Sequence, residues 1–118
     1  MKLADILTTE LLTEVLKIEI TDFALSYIYG DIGLKFHEKY KKENTTISNY
    51  DLAHKCKDWA WDLGFYYWYE NNKLYIKKLY SCKADFEIDI GTFVKPYDIK
   101  IDFKACQWIL KNKKQLGL

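Results

Sequence analysis

Carboxylates, lysines, histidines and cysteines are the side chains through which this sequence could act on bonds, and their spacing argues against it. The run Asp85, Glu87, Asp89, followed by Asp98 and Asp102, offers the oxygen ligands that a divalent cation takes. Alternate residues of a strand stand about 6.5–7 Å apart, so three in a row diverge, and a solvated sheet face explains them better than a metal site. His54 and Cys56 are two apart on a predicted helix. They point in different directions and form neither a zinc pair nor a cysteine–histidine dyad. His37 lies in a stretch without clear periodicity. No glycine-rich phosphate loop, nucleophile elbow, zinc-protease helix or paired-cysteine motif occurs. The expectation is a protein that is not an enzyme and holds no metal or cofactor; a metal-dependent enzyme on the acidic face is the last-ranked alternative.

Aromatic side chains form the stronger pattern. Between Trp59 and Tyr80 lie three of the four tryptophans, Phe65 and five of the ten tyrosines. Rings of this kind dominate protein interface hot spots and also stack on unpaired bases. Whether they face a partner or a core depends on the elements that carry them.

A helix is predicted from Asn49 to Leu63. Ser48 and Asp51 have capping-box spacing, Ile47 and Leu52 that of a hydrophobic staple, and Gly64 stops the helix. Its apolar stripe is Leu52, Cys56, Trp59, Ala60 and Leu63, with Trp61 projecting opposite. A hairpin follows, Phe65–Glu70 and Lys73–Tyr80, turning at Asn71-Asn72. Counting outward from a two-residue turn pairs Glu70 with Lys73, Trp68 with Tyr75 and Tyr66 with Lys77. Tyr67, Tyr69, Leu74 and Ile76 then share the core face, and Tyr66, Trp68, Tyr75 and Lys77 the other. Asp85 to Ile90 alternates as a third strand. A short extended piece around Ile99 and Ile101 leads to Asp102, the expected N-cap of a final helix from Phe103 to Lys114. Its inner stripe is Phe103, Cys106, Ile109 and Leu110, with Trp108 off it.

These elements predict an α+β fold over a single domain, residues 1–118. Residues 48–118 supply an α-β-β-β-α core, an antiparallel sheet of three to four strands with two helices on one face. Residues 1–45 form an N-terminal helical or extended segment, with Leu3 to Leu16 reading as one helix or two short ones. A strand can begin at Leu16 to Ile20, Asp22 to Glu43 stay ambiguous because Gly30 and Gly33 interrupt them, and the run from Lys41 to Thr46 reads as a linker. The segment would fold over some outward rings, Trp61 and Trp108 first among them.

Composition narrows the class. With 49% hydrophobic and 30% charged residues the chain is that of a globular protein. All of its 18 basic residues are lysine, which removes the guanidinium fork that reads guanine and grips phosphate. A net charge of +1 attracts neither nucleic acid nor an anionic membrane in bulk. The first residues, Met1-Lys2-Leu3-Ala4-Asp5, lack a signal-peptide pattern and no segment has the length of a membrane span, so a cytoplasmic location is expected. Three widely spaced cysteines, Cys56, Cys82 and Cys106, are expected as reduced thiols.

Two phrases, Asp51-Leu-Ala-His-Lys-Cys-Lys-Asp-Trp-Ala60 and Phe103-Lys-Ala-Cys-Gln-Trp-Ile-Leu110, resemble small proteins carried by prophages and mobile elements of AT-rich Gram-negative bacteria. That resemblance implies an accessory protein that binds a host protein, including as an inhibitor of a defence nuclease. The α-β-β-β-α order is similar to that of double-stranded RNA-binding domains, but the stretch Asp102-Phe-Lys-Ala-Cys-Gln lacks their lysine cluster. Asp98-x-Lys100 and Asp102-x-Lys104 resemble the carboxylate-x-lysine element of a nuclease fold without the mixed sheet around it. The expected function is therefore non-catalytic binding of a protein partner through Tyr66, Trp68, Tyr75 and Lys77, with Trp61 and Trp108 next. The alternative is a single-stranded nucleic-acid binder using the same rings with Lys73, Lys77 and Lys78. Homodimerisation through the hairpin edge or aromatic face is compatible with these two readings and with the metal-dependent enzyme, and no membrane is expected.

Overall fold

The computed structural model describes residues 7–28, 31–70, 73–79, 86–89 and 99–112. Within them the chain runs α1 (Thr9–Leu16), β1 (Ile20–Ile28), β2 (Asp31–Glu38), β3 (Asn44–Ser48), α2 (Asn49–Asp62), β4 (Phe65–Glu70), β5 (Lys73–Lys78), β6 (Phe86–Asp89) and α3 (Lys100–Asn112). The fold is α+β. Its strands form two antiparallel three-stranded sheets, β1-β2-β3 and β4-β5-β6.

The second sheet and helix α2 match the sequence expectation closely. Ser48 caps α2, its hydroxyl accepting the Asp51 N–H at 3.1 Å. Gly64 follows the helix with φ +91°, a conformation that glycine adopts at no steric cost. The β4–β5 register pairs Tyr66 with Lys77, Tyr67 with Ile76, Trp68 with Tyr75, Tyr69 with Leu74 and Glu70 with Lys73, as counting from the turn predicts. The turn Asn71-Asn72 itself lies outside the described residues, as do Leu3, Ile6, Tyr80, Cys82, Asp85, Ile90, Asp98, Lys113 and Lys114.

The N-terminal part departs from expectation. A hairpin of β1 and β2 occupies Ile20 to Glu38, and Gly33, expected to interrupt the element, sits inside β2 opposite Ser26 and Ser48. The expected linker from Lys41 to Thr46 runs into β3 at Asn44. Polar residues suit that strand because it lies at the sheet edge, where half its surface is wet. A register shift between Ile20 and Asp22 breaks the alternation that would have revealed β1. The second correction concerns α3, which begins at Lys100 and so includes Ile101 and Asp102. The N–H groups of Asp102 and Phe103 donate to the Ile99 carbonyl, so Asp102 is no cap but a buried residue of the first turn.

One apolar cluster joins the parts. Leu11, Leu12 and Val15 of α1, Leu34 and Phe36 of β2, Leu52, Cys56 and Ala60 of α2, Leu74 and Ile76 of β5, and Phe103, Cys106 and Ile109 of α3 are all buried in it. Helix α2 contacts β2 and β3 of one sheet and β4 of the other, while α1 covers β1 and α3 meets β5. Cys106 Sγ donates to the Cys56 carbonyl at 3.3 Å where α3 crosses α2, and both thiols are free and buried. No helix among the described residues is long and apolar enough to cross a membrane.

Candidate functional site

Strand alternation directs Tyr66, Trp68, Tyr75 and Lys77 to the face of the second sheet opposite Leu74 and Ile76, which are fully buried. On that face three rings stack in series. The Tyr66 and Trp68 centroids are 5.8 Å apart with 27° between planes, and Trp68 and Tyr75 are 5.3 Å apart at 16°. Tyr66 is 46% exposed; Trp68, Tyr75 and Lys77 are each partly covered. Offset stacks of this kind add roughly 0.5–1.5 kcal/mol per pair beyond the burial of the rings.

Helix α2 continues the surface around the edge of β4. Tyr50, His54, Lys57 and Trp61 follow at spacings of four, three and four, which align them as one ridge away from the buried stripe. Trp61 is 57% exposed. Between the ridge and β4 lie two adjoining clefts that share Lys57 and Tyr67. The outer one, about 350 Å³, has Trp61 and Tyr66 in its wall, so the exposed tryptophan and the end of the ring ladder meet there. The inner one, about 320 Å³, is lined by Tyr50, His54, Lys57, Tyr67, Tyr69 and Asp102 among others.

Trp108 behaves differently from Trp61. It is partly buried and packs against the core, and it lines neither cleft. The structure thus brings Tyr66, Trp68, Tyr75, Lys77 and Trp61 to one continuous surface and leaves Trp108 out.

The inner cleft holds what the sequence did not disclose. The Tyr67 hydroxyl donates to Asp102 Oδ1 at 2.5 Å, and Lys57 Nζ stands 3.9 Å from the same oxygen. Burial pushes the Asp102 carboxyl above its usual range, opposed by the Tyr67 hydrogen bond and the nearby Lys57 and His54. Burial also drives the Tyr67 phenol far upward, helped by Cys106 and Asp102, so it remains a donor. The Cys106 thiol is raised too, by burial first, which makes it unreactive. One signal could have revealed Asp102: it falls on the α3 stripe with Phe103, Cys106 and Ile109. Its partner Tyr67 is 35 residues away, beyond any local pattern.

Among the described residues no three His, Cys, Asp or Glu side chains come together as metal ligands. His37 pairs with Asn44 across β2 and β3 at 3.3 Å. Compared with known protein families, curated proteins and solved structures, the chain matches none.

Proposed function

We propose that this is a non-catalytic binding protein that docks a protein partner on the aromatic surface running from Trp61 through Tyr66 and Trp68 to Tyr75. The observation that carries this reading is the ring ladder on a sheet face together with an exposed tryptophan at its end. Pre-stacked rings lose little conformational freedom when they are covered, and buried aromatics supply most interface hot spots. The resemblance to prophage and mobile-element proteins favours a host protein in the cytoplasm as partner, including a defence protein that the chain would inhibit.

The test is capture from the native cell lysate with tagged protein, with and without nuclease, beside a Trp68→Ala/Tyr75→Ala variant. A stoichiometric protein that survives nuclease and is lost with the variant supports the reading. Each stacked pair contributes about 0.5–1.5 kcal/mol, so the variant should melt only a few degrees lower. Collapse of the fold would instead identify the two rings as core and remove the proposal.

A second reading, single-stranded nucleic acid on the same rings, is favoured by Lys73, Lys77 and Lys78 on the strand that carries Tyr75. Its signature is affinity for an oligonucleotide that falls steeply as salt rises.

A further inference from the structure

The inner cleft ends on a buried acid, and among the described residues the lysine that faces it, Lys57, does not close on it. Asp102 is only 7% exposed, and a buried carboxylate is tolerated where donors and positive charge surround it. Tyr67 provides one short hydrogen bond. Lys57 brings an ammonium group to 3.9 Å, well beyond the roughly 2.7–2.9 Å of a charge-assisted hydrogen bond, from a side chain that is 58% exposed. The space beside them, about 320 Å³, lies in the range of small-ligand sites. Tyr50, Tyr67 and Tyr69 contribute to its lining, and Ala53, Ile99 and Ile101 give it apolar wall. Ring faces attract cations, and rings around an acid form the environment that holds substituted ammonium ions. An anion would meet the carboxylate, and a divalent metal would find a single acid with a lysine beside it.

We propose that this cleft binds an organic ammonium group, with Asp102 as its counter-ion, tyrosine rings around its alkyl carbons, and Lys57 as the resident cation that it displaces. The group is either the lysine side chain of a partner, in which case the inference rests on the docking reading, or a free alkylamine. In both cases the aliphatic stem lies along Ala53 and Ile99 while the charge reaches Asp102.

The test is an NMR titration of the isolated full chain with Nα-acetyl-lysine methylamide, putrescine, and the Nζ-acetylated lysine amide as a neutral control. Saturable shifts at Tyr50, Ala53 and Tyr69 are expected with the two amines and not with the control. Asp102→Asn keeps an acceptor for Tyr67 and should weaken amine binding by about tenfold, the effect of losing one charged contact. Lys57→Met lies at an exposed position and should tighten binding several-fold by removing the internal competitor, with a thermal melt checking that the variant is folded. Tighter binding of the lysine amide assigns the site to a partner's side chain; tighter binding of putrescine assigns it to a free amine. Absence of saturable shifts, equal binding of the neutral control, or Lys57→Met binding no better than the parent would each overturn the proposal. Because the titration needs no partner, its failure leaves the capture experiment standing, and capture can fail without altering the titration.

Discussion

Asp102 and Glu38 are both carboxylates with little exposure, and their surroundings move them in opposite directions. Burial raises Asp102 more than Tyr67 and Lys57 lower it. A carboxyl group whose folded pKa is raised costs stability once pH climbs above its unfolded value, and that cost is absent in acid. Asp102→Asn should therefore raise the melting temperature near neutral pH, and the gain should shrink as pH falls toward the ordinary Asp value of 3.8. Glu38 is held below its ordinary range by Lys41, 2.6 Å away, with Thr45 assisting. Its contribution is present above the unfolded value and is lost as pH falls, so Glu38→Gln should destabilise at neutral pH and match the parent in acid. Thermal melts of both variants across the acidic range check the two signs together. Helix geometry turns Trp61 away from the buried stripe, but the expectation that the N-terminal segment folds over it fails, since Trp61 stays 57% exposed. Asp102 reads as a cap because Asp is a favoured N-cap residue just before a helical stripe; its burial, costly for an acid, is made tolerable by Tyr67 from another element.

Element boundaries depend on a few backbone positions. Lys17 closes α1 at φ 59°, and Tyr40 turns β2 toward β3 at φ 73°. Both are left-handed conformations that non-glycine residues adopt with strain. Lys17→Gly should stabilise the protein by up to about 1 kcal/mol, less the added freedom of the unfolded chain. A Cβ at Gly64 would meet nothing within 4 Å, so Gly64→Ala should cost about 1 kcal/mol through the backbone alone. Urea titration resolves both changes. The same positions explain what could be read in advance. Counting outward from Asn71-Asn72 predicts the observed β4–β5 register, and Gly64 announces its own role. The first sheet gave no such cue, because the shift between Ile20 and Asp22 and the buried Gly33 disturb the alternation on which strand recognition depends.

At the scale of the molecule, α2 is the shared support, in contact with both sheets and with α1 and α3. Leu52 of α2 is fully buried, and Leu52→Ala should cost about 2–5 kcal/mol. Because one apolar cluster links the sheets, urea unfolding followed by far-UV circular dichroism and by tryptophan fluorescence should give a single coincident transition. The apolar stripes of α2 and α3 were legible as helical periodicity, but which sheet each helix would cover was not, since periodicity names a face and not its partner. Within both sheets every strand pairs with its neighbour in sequence. Strand pairing therefore needs only short loops to close, which is fast. The contact between Cys56 and Cys106 spans fifty residues, and α3 leaves the ribosome after both sheets. A nascent chain can thus assemble its sheets while the groove for Phe103, Cys106 and Ile109 still stands open on α2. Until α3 arrives, the apolar stripe of α2 that it covers is the surface most open to wrong contacts.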